Sequence, residues 1–173
     1  MEGRGDYGSS CFGEQLVHME VGRLGFLFNF SAIYAKCTRV GRRELWGMMA
    51  MVHAQFSSPL MVAGDFNVIF KVDERSGGAS PNPRNMEEFN EAIFQCNLSE
   101  VSFDGSLFTW TNREVWQRLD GALVNVDWSS LFICTKVSPL LRGRSDHALL
   151  LVKCGNSRNR GSSFHFLDRM RVV

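Results

Sequence analysis

The sequence predicts an α/β fold in which strands and helices alternate along the chain, and three stretches carry that expectation. Phe26, Phe28, Phe30 and Ala32 recur at every second position, the period of a strand with one buried face. Leu45, Met48, Met49, Val52 and Phe56 recur at three-to-four spacing, the period of an amphipathic helix. Residues 60–63 are a short unbroken apolar run between Pro59 and Gly64, as in a strand covered on both faces. Interleaving of this kind favours an α/β sandwich over a helical bundle.

Taken in order, residues 15–21 and 26–34 read as the two arms of a β-hairpin, with Gly22 and Gly25 in the gap. A helix is expected over residues 42–56, its apolar, Met-rich face in the core and Arg42, Arg43, Glu44 and Gln55 on the opposite side. Ser57-Ser58-Pro59 ends it, and the strand that follows stops at Gly64-Asp65-Phe66-Asn67. Residues 72–84 gather Gly, Ser, Pro and charge and read as a loop. Asn85, with Glu88 three residues on, has the pattern of a capping box ahead of Met86, Phe89, Ile93 and Cys96 on one helical face. Short β-type runs follow at residues 107–110, 119–124, 135–140 and 148–153. After Cys154 the stretch GNSRNRGSS is linker-like. The expected division is a domain over residues 1–154 and a basic tail over 155–173.

A chain of 173 residues with 45% hydrophobic content suits one domain with a sizeable core. Its 19 Lys and Arg against 18 Asp and Glu give no global field for gathering DNA or an anionic membrane, so nucleic-acid contact would need a local patch. From residue 142 to 171, seven Lys or Arg stand against two Asp, which makes that end basic. Cys11, Cys37, Cys96, Cys134 and Cys154 are scattered, with no C-x-x-C pair, so a reducing, intracellular setting is expected rather than a disulfide scaffold. No apolar run approaches the ~20 residues of a membrane-spanning helix.

Three short sets could carry chemistry. Asp65 and Asn67, two apart at a strand end, share one side of the chain if strand geometry persists. A carboxylate can take a proton or orient a water, and an amide beside it can both donate and accept. The bland alternative is an Asx turn. Asp146-His147 follows Arg142-Gly143-Arg144 and leads into an apolar strand; the imidazole moves protons near neutral pH and the carboxylate suits a hard cation, against the plain reading of a solvated turn. Arg118 and Asp120 open another strand. Asp120 gains meaning if it lies behind His147 and fixes its tautomer, and otherwise the two are a surface pair.

Together these sets resemble the endonuclease/exonuclease/phosphatase superfamily, and within it the apurinic-type endonuclease domains of plant non-LTR (LINE) retrotransposons. The resemblance rests on MVAGDFN, FTWTN, RLD followed by Leu123, Asn125 and Trp128, and SDH before an apolar strand, in that order. Tyr34 in AIYA, RRELW, ERSGG and FHFLDRM extend it over nearly the whole chain from Gln15. It implies a DNase I-like, four-layer α/β sandwich of two sheets, and metal-dependent phosphodiester hydrolysis on DNA with Mg²⁺, or Mn²⁺, by a monomer that would work in the nucleus. Under it, Asp65 orients or deprotonates the attacking water, Asn67 holds that water or a phosphate oxygen, and Tyr34 hydrogen-bonds the phosphate. His147 stabilises the transition state, Asp120 orients the imidazole, and Asp146 stands near the metal. Asn112, Arg118 and Arg144 would face the substrate, as would Trp110 if it is not packing. Family members also carry, upstream, an Asn motif and a Glu-Thr strand end whose glutamate is a principal metal ligand; neither is found in this sequence, and Gly121 stands where retrotransposon relatives carry Arg. The resemblance therefore implies an amino-terminally truncated domain with impaired activity. The two alternatives are a non-catalytic nucleic-acid-binding remnant and a phosphomonoesterase of the same superfamily.

Overall fold

The structure, a computed structural model, describes residues 6–23, 26–155 and 163–167. Strand β1 (Asp6–Phe12) pairs antiparallel with β2 (Leu16–Arg23), which pairs antiparallel with β3 (Phe26–Tyr34). The latter pair is the expected hairpin. Helix α1 (Arg39–Gln55) crosses over and returns the chain as β4 (Leu60–Asp65), parallel to β3, since parallel neighbours need a crossover. A 3-10 turn (Val72–Glu74) and the two-residue strand β5 (Arg75–Ser76) interrupt the expected loop before α2 (Pro83–Gln95). Then come β6 (Ser99–Glu100), β7 (Trp110–Thr111), β8 (Trp116–Gln117), β9 (Asp120–Val124), α3 (Val126–Leu131), β10 (Cys134–Pro139), β11 (Leu150–Gly155) and β12 (Ser163–Leu167).

The described residues form a six-stranded sheet in the order β1-β2-β3-β4-β9-β6, a three-stranded sheet β10-β11-β12 and a small ribbon β5-β8-β7. Every residue of β4 is buried, and the two core clusters show why its sequence does not alternate. Leu60 and Val62 join Leu45, Met49, Phe89 and Ile93 of the helices. Met61 and Ala63 join Trp128, Val137, Leu150 and Val152 on the side of the second sheet. Helices, central sheet and second sheet are thus stacked as successive layers with a core on each face of the central sheet, a mixed α/β arrangement.

Local departures have local causes. Helix α2 begins at Pro83, and its cap is Asn82, whose Oδ1 accepts from Arg84 N; proline suits the first turn because its missing N–H has no partner there. The expected capping box at Asn85 therefore lies inside the helix, and Glu88 binds Arg39 and Arg43 of α1 instead. Arg42, expected on the exposed side, is only 2% exposed. Its Nη1 donates to Lys36 O (3.2 Å), Cys37 O (2.8 Å) and Asn67 O (3.0 Å). The expected tail contributes β12 to the second sheet, while residues 156–162, most of the linker-like stretch, lie outside the described residues.

Candidate active site

Parallel pairing places the carboxyl ends of β3 and β4 at one edge of the central sheet, and antiparallel pairing brings the start of β9 to the same edge. The register aligns Tyr34 with Asp65 and Asp65 with Asp120. Three residues from distant parts of the chain so form one row, at the kind of sheet edge where α/β folds bind ligands. Close approach is needed there. Gly64 has φ +140°, and a Cβ on it would stand 2.1 Å from Ile33 O.

The chain does not continue as a strand beyond Asp65. Asn67 adopts φ 50°, a left-handed conformation that asparagine tolerates better than most residues. Strand alternation is thus not what joins Asp65 and Asn67. A turn does so: Asn67 N donates to Asp65 Oδ1 (2.8 Å), and Asn67 Nδ2 donates to Asp65 Oδ2 (2.9 Å) and Ala35 O (2.7 Å). Arg42, through Asn67 O, ties this turn to the segment between β3 and α1.

His147 reaches the row from a separate segment that bridges Trp110. Its Nδ1 lies 2.9 Å from Asp120 Oδ2 and 3.2 Å from Oδ1; the carboxylate can only accept, so Nδ1 carries the proton. Nε2 faces Asp65 Oδ2 at 3.9 Å. Among the described residues, Asp65, Asp120 and His147 offer ligand atoms within 4.8 Å of one another. Asp146 is outside that group and exposed, its Oδ2 accepting from the Trp110 indole Nε1 (3.0 Å) and its carbonyl from Thr111 N (3.1 Å).

The electrostatics follow from this crowding. Burial, and then the charge of Asp120, push the Asp65 carboxyl up to about 7, against the weaker pull of Asn67 N–H and His147. Burial opposes the charged form of His147, but the hydrogen bond to Asp120 and the charges of Asp120, Asp65 and Asp146 outweigh it and raise the imidazole. Slight burial disfavours the Asp146 carboxylate, yet the Trp110 indole, nearby backbone N–H groups and His147 lower it overall.

The remaining expected residues fall in three kinds of place. Tyr34 is half exposed at the end of β3, and Arg144 is exposed in the loop before Asp146. Asn112 Oδ1 accepts from Glu114 N (3.1 Å) and Val115 N (2.7 Å), so its side chain forms a turn. Arg118 does not face outward. Its side chain is 9% exposed, bound to Glu74 Oε1 at 2.6 Å and to Glu100, and its guanidinium lies over the Phe103 ring. A buried cation needs such partners, and sequence adjacency to Asp120 does not reveal them. Arg42, expected on the exposed side of its helix, supports the site from the buried face, where Arg42, Leu45, Met49 and Val52 together keep helical spacing. Thr109, in FTWTN, is 0% exposed, and no local pattern in the sequence marks it as part of the site.

No protein-family model and no curated protein matches the chain, whereas solved structures share its fold. The endonuclease domain of TRAS1, a telomere-specific non-LTR retrotransposon, matches with TM-score 0.62 and 16% identity over 80% of this chain and 60% of that one. Beta toxin from Staphylococcus aureus matches with TM-score 0.57 and 14% identity over 80% and 56%, and a double mutant of it with bound magnesium ions with TM-score 0.52 and 12% identity over 89% and 53%. Sphingomyelinase C from Streptomyces griseocarneus matches with TM-score 0.54 and 13% identity over 88% and 53%. The chain thus spans between 53% and 60% of the length of these structures. The fold they share with this chain is a mixed α/β, DNase I-like one.

Proposed function

We propose that this chain carries the acid–base part of a metal-dependent phosphodiesterase site of retrotransposon type, directed at DNA in the nucleus. The observation that supports it best is the row Asp65, Asp120 and His147, with Asn67 folded back onto Asp65. An imidazole fixed by one carboxylate and open at Nε2 toward another is built to donate a proton or hydrogen bond to a phosphate oxygen. Asp65, pushed up to about 7, suits a group that takes a proton from water near neutral pH. Tyr34 and Arg144, exposed at or near the same edge, would contact the phosphate backbone; buried Arg118 would act only through the packing beneath Asp120.

Hard carboxylate oxygens and an excess of negative charge fit Mg²⁺ or Mn²⁺, and the proton affinity of Asp65 marks a charge that a cation would relieve. Asp65, in the group with Asp120 and His147, would hold the ion directly, and Asp146, outside that group, would reach it through a coordinated water. Such an ion neutralises charge developing on a phosphodiester. Activity weaker than that of an intact domain is proposed with it, because the motifs that resemble the superfamily do not include its metal-binding glutamate. Nicking of supercoiled plasmid should require Mg²⁺, stop in EDTA and fall about 10²-fold or more in His147→Ala. Nicking that survives both EDTA and the substitution would overturn the mechanism.

One observation favours a second reading. The Arg142 guanidinium lies 4.8 Å over the Trp116 ring near exposed Arg144, a basic and aromatic surface of the kind that binds nucleic acid without cleaving it. Metal-independent DNA binding that weakens steeply with salt, without nicking, would select it.

A further inference from the structure

Asp120 and His147 arrive at their hydrogen bond from two separate segments, and residues 109–111 touch both. Thr109 is fully buried. Its Oγ1 accepts from two successive main-chain donors, Leu119 N at 3.1 Å and Asp120 N at 3.0 Å. Thr109 N donates to Gln117 O at 2.9 Å, and Thr109 O accepts from Ala148 N at 2.7 Å, one residue beyond His147. Trp110 bridges His147 and binds the Asp146 carboxylate, and Thr111 N donates to Asp146 O. One residue therefore holds the amide of Asp120 with its side chain and the amide after His147 with its carbonyl.

We propose that Thr109 is a positioning residue that sets the Asp120–His147 pair. Two adjacent amides can converge on one atom only if that atom sits between them, so the hydroxyl oxygen fixes the orientation of the peptide that carries the Asp120 carboxylate. Its main-chain carbonyl fixes His147 relative to the same point. Valine has the same shape but no acceptor, whereas serine keeps the oxygen and loses a methyl group. A role in hydrolysis rests on the function proposed above, but the pair itself exists without substrate and can be observed without activity.

The test is the proton resonance of the His147 Nδ1–H in the full chain at a pH where the imidazole is protonated, identified by its loss in His147→Asn. A carboxylate partner holds this proton far downfield. Thr109→Val should shift it upfield or broaden it away while the indole signal of Trp128, in the distant core, stays dispersed; Thr109→Ser should retain it. An unchanged resonance in Thr109→Val, or equal loss in Thr109→Ser, overturns the proposal. Should Thr109→Val not fold, Thr109→Ala replaces it and is read in the same way. If neither folds, Thr109 sustains the whole fold rather than the pair, and the proposal also falls. Absence of nicking in every variant would count against the proposed function alone.

Discussion

Asp65 is held by Asn67 on both oxygens and still prefers its proton at pH values where exposed aspartates have lost theirs. An acid raised from 3.8 to about 7 leaves the folded chain holding the extra proton between those values, so its contribution to stability falls as pH rises across them. His147 acts in the same direction: raised above 6.5, it contributes stability below that value and loses it as pH rises through its folded pKa. His18, lowered mainly by burial, acts oppositely, costing stability as pH falls below 6.5. Comparing wild type with Asp65→Asn cancels the His18 contribution. Without metal, Tm of the wild type should drop between pH 5 and 8, and Asp65→Asn should be flatter, opening a gap of roughly 4 °C or more at pH 8. Parallel curves in a thermal-melt series would refute the assignment.

Elements were legible where side-chain periodicity sets them and shifted where a cap or a partner does. The apolar faces of α1 and α2 and the doubly buried β4 follow from spacing alone, because burial of those faces dominates their energetics. The start of α2 does not, since Asn82 and Asn85 both have capping chemistry and only the path into the helix distinguishes them. Asn82→Ala should cost about 1 kcal/mol in denaturant unfolding, and Asn85→Ala, within the helix, should be close to neutral. Equal losses would place the cap wrongly. Strands β1 and β12, in Gly-, Ser- or Arg-rich surroundings, lack a long alternating pattern; they exist through pairing with β2 and β11.

Across the whole molecule the two sheets meet on Trp128, whose ring packs edge-on against Phe28 at 5.3 Å and whose Nε1 donates to Thr135 Oγ1 at 3.0 Å. Trp128→Ala removes a large buried ring and leaves the Thr135 hydroxyl without that donor, at a cost of roughly 3–5 kcal/mol. The midpoint of urea unfolding should fall with the slope unchanged, and a small shift would show that the sheets are held elsewhere. The sequence by itself determined the alternation of strand and helix, the core faces and the residue types of the candidate site, because hydrophobic period and chemical kind are local properties. Only the tertiary structure decided that Asp65 and Asp120 share a row and that His147 turns Nδ1 to Asp120, since strand register and the meeting of distant segments are set by long-range pairing. It also turned Arg118 inward to Glu74 and Glu100, a buried charge being placed by whichever partners packing brings to it.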